Sequence, residues 1–428
     1  MSNIQGNTSQ TKNTDYPLVI IGAGAAGLGA SEKAKQEKID HLVLEASHRI
    51  GGRGLTEYLE GTIPVDLGCH WMHCASKNPY VKWADKLGFE YQKDSDFNYT
   101  AFSGGKWLEK DQAHQIWNFI AQCNSNIIAL YTESRESAIA DGVDVESEWA
   151  PYAYYWYSLM HSNDVDQVSV QDLFDFDETH EDWPVKQGYG ALIEKQGQNC
   201  PVQLNTQVSK IDWSSNSVKL TTNKGIITSD KLIITVSTSV LASGEIEFYP
   251  ELPESKQNAI YSLPLGNSNY QFFSVEKDAF DPGTPEMMKY IEDDISMLIH
   301  IQPFGAPCAY TSTGGRFAWW LEKQGTEASR SYFEKALVSV FGSNIRSRFR
   351  EFKVSAWGYD PLIRGAYSSQ KPGSVDQRKI LKTPLNEMLY FAGEATSLDF
   401  LNTAHGAFLS GQRAVEEVVN GVESIQFK

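Results

Sequence analysis

The first apolar run, Tyr16-Pro-Leu-Val-Ile-Ile-Gly22, is short, uninterrupted and closed by glycine, the pattern of a parallel strand buried on both faces. A helix rich in Ala and Lys is predicted from about Ala25, and a second run, Asp40-His-Leu-Val-Leu-Glu45, completes a strand, helix, strand unit. From residue 78 to about 183 the texture becomes helical and aromatic, with Trp117, Trp149, Trp156 and Pro151-Tyr-Ala-Tyr-Tyr-Trp-Tyr157. Large aromatics at that density build core between helices. Short strands return at 202–205, 208–211, 218–222, 231–236 and 270–275, separated by turn-forming residues. Residues 389–419 repeat the opening arrangement of strand, glycine turn and helix. These switches predict an α/β fold whose first domain is discontinuous and carries an inserted α+β domain.

Length and charge narrow the class. A chain of 428 residues suits two connected domains, and 41% hydrophobic with 21% charged residues is an ordinary globular balance. The net charge of −17 repels phosphate backbones and anionic lipid, so nucleic acid and membrane partners are not expected, while a cationic ligand is mildly favoured. No window reaches the about 18 apolar residues that span a bilayer. The five cysteines (Cys69, Cys74, Cys123, Cys200, Cys308) have no CxxC spacing, which predicts reduced thiols, no metal site and a cytoplasmic location. Residues 1–15 are polar and read as a disordered tail.

The chemistry begins at Gly22-Ala-Gly-Ala-Ala-Gly27, which lies directly between strand and helix. There Gly22 allows the tight turn, Gly24 lets a pyrophosphate approach the backbone, and Gly27 lets helix and strand pack closely; Ala26 lies inside the turn. Glu45 ends the second strand, where its carboxylate can accept from both ribose hydroxyls and would repel the extra phosphate of NADP. The following stretch, Glu45-Ala46-Ser-His-Arg-Ile-Gly-Gly52-Arg53, adds a second glycine bend, and Arg53 on it can pair with the pyrophosphate from the far side. An NAD enzyme has no use for that bend. FAD is therefore the expected cofactor.

Here the sequence resembles the flavin-containing amine oxidase superfamily, which includes monoamine oxidases, polyamine oxidases, the lysine-specific histone demethylase and L-amino acid oxidases. Asp66-Leu-Gly-Cys-His-Trp-Met-His73 is similar to its D-x-G-x-x-W-x-H segment, and Asn78-Pro79 with Leu87-Gly88 continues it. Tyr390-Phe-Ala-Gly-Glu-Ala-Thr396 and Thr403-Ala-His-Gly-Ala-Phe-Leu-Ser-Gly411 match the polyamine oxidase and demethylase branch most specifically. The resemblance implies a Rossmann-like FAD-binding domain over 16–76, 185–263 and 357–428, with an inserted substrate-binding domain over 77–184 and 264–356. It assigns Val208 to the adenine side, Gly393 and Glu394 to the ribityl and phosphate side, and Thr403 and Ala404 to the isoalloxazine.

The activity the resemblance implies is hydride transfer from the carbon beside a neutral amine to flavin N5, giving an imine, with O2 or another acceptor reoxidising the flavin. Tyr367 falls on the family's aromatic wall over the flavin, in Trp357-Gly-Tyr-Asp-Pro361 followed by Arg364-Gly-Ala-Tyr-Ser368. Ala366 stands where monoamine oxidases carry the flavin-linking cysteine, which implies non-covalent FAD. Thr403 takes the other aromatic position, and Trp357 either flanks the flavin or fills core. His70 and His73 both lie where polyamine oxidases have a histidine near the substrate, and one of them is expected to orient the amine or relay a proton. The family's G-x-x-x-K is met by Gly266-Asn-Ser-Asn-Tyr270, so a neutral phenol replaces the lysine tied to oxygen reactivity. A polyamine-like substrate leads. The alternatives are a flavin desaturase or dehydrogenase of a biosynthetic pathway and an L-amino acid oxidase, for which Arg316 or Arg364 would have to reach the pocket. Asp175 to Glu178 and Glu292 to Asp294 read as solvated acidic loops.

Overall fold

The computed structural model describes residues 14–93, 100–292 and 295–420. The expected tail thus lies almost wholly outside the described residues, as do Asp293 and Asp294. Thr14 and Asp15, assigned to that tail, are instead tied by hydrogen bonds to Asp230 and Thr228, because they continue the edge where Tyr16–Ile21 pairs with Gly225–Ile234.

Eight strands make the first sheet. At its centre Tyr16–Ile21 runs parallel to His41–Leu44 on one side and to Gly225–Ile234 on the other, and Leu389–Phe391 adds in parallel to the latter. Alternate residues of the opening strand feed two cores: Leu18 and Ile20 pack with Leu28 and Phe408, Val19 and Ile21 with Leu220, Leu232 and Phe391. Burial on both faces is the reason the run shows no polar alternation. The helix Ala25–Gln36 lies against the closing helix Ala404–Asn420 at a separation only glycine permits. A Cβ on Gly411 would stand 1.9 Å from the Ala26 carbonyl oxygen, and one on Gly29 2.3 Å from that of Phe408.

The second sheet has seven strands, in the order Phe349–Val354, Ser268–Val275, Cys308–Gly314, Ile295–Ile301, Met287–Glu292, Thr100–Ser103, Lys106–Trp107. Its pairings are antiparallel except that of Thr100–Ser103 with Met287–Glu292. The helical expectation for 78–183 is corrected here, since Thr100–Ser103 and Lys106–Trp107 are strands; Thr100–Ser103 pairs with residues almost 190 positions later, a contact local pattern does not carry. The aromatic run lies on the helix Ala150–His161, with Tyr152 and Tyr157 fully buried and Trp156 edge-on to Trp117 at 5.0 Å. The expected core role holds. Where the sheets meet, the hairpin of Thr56–Leu59 and Ile63–Asp66 packs Leu59, Val65 and Leu67 against Phe272 and Tyr310.

Candidate functional site

The nucleotide end is made of backbone. A Cβ on Gly27 would sit 1.8 Å from the Gly22 carbonyl oxygen, so the first helical turn presses directly on the strand it follows. The second glycine bend folds onto the first: Gly51 N–H donates to the Ala23 carbonyl at 2.8 Å, and a Cβ on Gly52 would come within 3.1 Å of the Gly24 Cα. Two glycine bends thus share a cradle at the N-terminus of Ala25–Gln36, where amides and helix dipole suit a pyrophosphate. Glu45 is fixed beside it by the amides of Ala23 (2.6 Å) and Ser47 (2.8 Å), with Ala46 between, and each carboxylate oxygen keeps a lone pair for a ribose hydroxyl. Thr206 N–H donates to the Glu45 carbonyl at 2.8 Å, which brings the start of Val208–Asp212, and so Val208, alongside this end. This cradle fits a dinucleotide.

Arg53 points across the cradle but is engaged by protein groups, donating to Glu394 Oε1 at 3.0 Å and to the Ala366 carbonyl at 2.5 Å. Glu394, 5% exposed, also accepts from Ser368 Oγ at 2.7 Å. Arg378 donates to Ser368 Oγ and grips Asp172 with two bonds of 3.0 and 2.9 Å. A buried line of alternating charge, Asp172, Arg378, Glu394 and Arg53, therefore ties the closing segment to the second glycine bend. Gly393, at φ +132°, has its N–H capped by Ser410 Oγ at 2.8 Å. Sequence reasoning missed Arg378, Asp172 and Ser410. No motif marks Arg378 or Asp172, because they lie 206 residues apart, while Ser410 sits inside the closing motif without its spacing showing that it caps Gly393.

The aromatic end collects side chains from distant strands. Tyr270, on Ser268–Val275, has its ring 5.8 Å from that of His70 and 6.2 Å from that of Tyr310. Burial pushes its phenol above the usual range, with Tyr367 the next contributor. Tyr367 reaches the same segment through its backbone, its carbonyl accepting from Gly266 N–H at 3.0 Å, while its hydroxyl donates to the Leu159 carbonyl. Trp357 is buried and donates from Nε1 to the Leu67 carbonyl at 2.6 Å. His70 and His73 part company. His70 meets Tyr270 and Tyr310, whereas His73 pairs through Nδ1 with Asp182 at 2.6 Å; burial pulls its pKa down but the carboxylate outweighs it, and the net shift is upward. Thr403 caps Ala404–Asn420, accepting from Gly406 N–H at 3.0 Å and donating to the Phe400 carbonyl at 2.8 Å.

A cleft opens beside His70, lined also by Trp71, Met287, His300, Tyr310 and, at its polar side, Glu286. His300 stacks on Tyr310 with centroids 4.2 Å apart, and burial followed by the nearby His70 pushes its pKa down to about 3. Neither Arg316 nor Arg364 enters it: Arg316 pairs with Asp164 and Asp166, and Arg364 with Glu245. Asp175 is held by Gln171 at 2.8 Å and Asp177 is paired with Lys77, away from this lining. Among the described residues, no cluster of metal-binding side chains and no helix long and apolar enough to cross a membrane occurs.

Comparison with known proteins agrees with this geometry. Residues 20–84 match an NAD(P)-binding Rossmann-like domain, and 166–419 match the flavin containing amine oxidoreductase family. The chain is 28% identical to polyamine oxidase 2 of Arabidopsis thaliana, over 95% of this chain and 88% of that protein. Polyamine oxidase 4 of Oryza sativa subsp. japonica is 27% identical, over 94% and 88%. Lysine-specific histone demethylase 2 of Homo sapiens is 24% identical over 94% of this chain but 53% of its own length. With the dinucleotide cradle and the aromatic end in one α/β frame, the chain belongs to the flavin containing amine oxidoreductase family and is an FAD-dependent amine oxidoreductase.

Proposed function

We propose that the protein oxidises a polyamine-like amine that carries no carboxylate, using non-covalently held FAD. The observation that carries the substrate reading is the cleft lining, which among the described residues offers aromatic rings and one carboxylate, Glu286, and no arginine to receive an amino acid's carboxylate. The polyamine oxidase relatives support it. FAD supplies the acceptor for a hydride equivalent at N5. Gly22, Gly24, Ala26, Gly27, Glu45, Ala46, Gly52, Arg53 and Val208 would hold its dinucleotide part, and Trp357, Gly393, Glu394, Thr403 and Ala404 its flavin part. Tyr367 would wall the ring, and either His70 or His73 would handle the substrate's proton. Ala366 supports non-covalent attachment, since it offers no thiol. The same reading includes the division into the FAD-binding segments 16–76, 185–263 and 357–428 around the inserted domain, for which the membership of the two sheets speaks. Five free thiols suit a reducing compartment such as the cytoplasm.

Anaerobic titration with spermidine, tyramine and L-amino acids tests the reading. Spermidine should bleach the flavin first, and bleaching by an L-amino acid alone would overturn the substrate class. A second reading, a dehydrogenase or desaturase that passes electrons to something other than O2, is favoured by Tyr270, a half-buried phenol with no charge to stabilise reduced oxygen. Under it, dithionite-reduced enzyme reoxidises slowly in air and Tyr270→Lys accelerates it; fast peroxide formation by the wild type removes this reading.

A further inference from the structure

Asp66, His70 and Tyr310 form a line of carboxylate, imidazole and phenol that ends at the cleft. Asp66 is 1% exposed and immobilised by Thr56 Oγ1 (2.5 Å) and by the amides of Tyr189 (2.8 Å) and Gly190 (3.0 Å), which open the helix Tyr189–Gly197. His70 Nδ1 stands 3.5 Å from Asp66 Oδ2 and has no well-aligned hydrogen-bond partner among the described residues, while Nε2 is 3.1 Å from the Tyr310 oxygen. Burial first, and the neighbouring Tyr270 next, hold the Tyr310 phenol far above its ordinary pKa, so it keeps its hydrogen and can donate it to Nε2 when that nitrogen is bare. Nδ1 then carries the ring's other hydrogen, facing Asp66. That is the tautomer of a base awaiting a proton at Nε2.

We propose that Tyr310 and His70 are the route by which a proton leaves the substrate's ammonium group. As the ammonium N–H gives its proton to the Tyr310 oxygen, the Tyr310 hydroxyl gives its own to His70 Nε2. The products are a neutral amine, an intact phenol and an imidazolium beside the Asp66 carboxylate; no electrons move. The step rests on the amine reading above, because only a neutral amine has the lone pair that assists hydride loss from its neighbouring carbon. In water the transfer from an alkyl ammonium to an imidazole is uphill by roughly ten-thousand-fold. The aromatic cleft opposes that cost, because it disfavours the ammonium by desolvation.

The other groups that face His70 do not compete for the role. Cys69, beside it in the chain, is pushed up by burial; Tyr270, from Ser268–Val275, is likewise pushed up; and His300, from Ile295–Ile301, is pushed down to about 3 and stays neutral. The His300 side chain makes ring contacts with Trp71 and Tyr310 and, among the described residues, no hydrogen bond, so it serves as the far face of the Tyr310 ring. Asp66 is a positioning residue. Because it also caps a helix, it is a poor target for substitution.

The test follows flavin reduction by spermidine in anaerobic stopped flow between about pH 6 and pH 10, in wild type, His70→Gln and Tyr310→Phe, with the flavin spectrum verifying bound cofactor. His70→Gln should slow reduction by about 100-fold near neutral pH and recover toward wild type at the alkaline end, where the amine is already neutral. Tyr310→Phe should lose the same acidic limb to a lesser degree, and it keeps the ring's packing if His70→Gln does not fold. An equal loss at every pH, or none, overturns the relay. The second readout needs no turnover. In dithionite-reduced enzyme carrying 13C-labelled histidine, spermidine should move the His70 signal to the imidazolium position, and a signal that stays neutral overturns the relay. If neither spermidine nor tyramine reduces the wild-type flavin, the amine reading has failed; if they do and His70→Gln keeps the wild-type profile, the relay alone has failed.

Discussion

At the nucleotide end Gly24 and Gly52 bring two backbones almost into contact and Glu45 is clamped by main-chain amides. At the aromatic end, proposed above to take the amine, His70, Tyr270, His300 and Tyr310 are side chains delivered by four separate segments, and they touch through rings and a 3.1 Å bond. The two ends recognise different things. A pyrophosphate is read by amide hydrogens and a helix dipole, so the protein must remove its own side chains to let the ligand close. An amine is read by rings, charge and proton acceptors, so side chains must be added. The first end should therefore fail when atoms are inserted, and the second should lose chemistry rather than stability when atoms are removed.

Inserting atoms at Gly27 is the harshest break. With 1.8 Å between a Cβ there and the Gly22 oxygen, Gly27→Val should yield no flavin-loaded protein, at a cost above about 4 kcal/mol. A purified variant with normal visible absorbance and melting temperature would refute the backbone account. Between the two ends, Arg378→Met strands the Asp172 carboxylate, 1% exposed, and should cost about 3–5 kcal/mol in chemical unfolding. Adding Asp172→Leu should recover part of that loss; a double variant worse than the single would mean that packing, not charge, dominates. At the amine end Tyr270→Phe removes a hydroxyl with no hydrogen bond among the described residues, so stability should change by less than about 1 kcal/mol with flavin retained. A drop in melting temperature comparable to that of Arg378→Met would erase the contrast.

The smallest expected effect is the pH dependence of His73 and Asp182, each about one-third exposed. The His73 pKa is raised, so its contribution is complete below the ordinary imidazole value and fades as pH rises through the folded value. The Asp182 pKa is lowered, so its contribution is complete above the ordinary carboxylate value and fades as pH falls. The pair therefore stabilises most between about pH 4 and 6.5, by about 0.2–1 kcal/mol after solvent screening. The melting-temperature gap between wild type and Asp182→Asn should be wider at mildly acidic than at alkaline pH, and a constant gap would remove the ion pair from the account.

The uneven legibility of the two ends in the sequence has the same origin. Gly22 to Gly27 lie within one strand, helix, strand unit, and Glu45 and Gly51-Gly52 follow it within a few residues, so their spacing reports their geometry directly. The second sheet was only partly visible. Tyr270 was found as a departure from a motif, but Thr100–Ser103 was hidden inside a stretch read as helical, since its pairing partner is Met287–Glu292. His70 and His73 looked equivalent in sequence, three residues apart; the short strand Trp71–Met72 between them sends one toward Tyr310 and the other toward Asp182.

By itself the sequence determined the α/β class and the FAD cofactor, through short-range steric demands that glycine and a terminal carboxylate meet, and the family, through the resemblance of whole motifs such as Asp66 to His73 and Thr403 to Gly411. Only the tertiary structure decided that Arg53 rests on Glu394, that Arg378 and Asp172 tie the closing segment in, and that Tyr310 and His300 stand with His70 at the cleft. Those contacts join residues up to 341 positions apart. Their energy comes from burial and pairing after the chain has closed on itself, which no local spacing encodes.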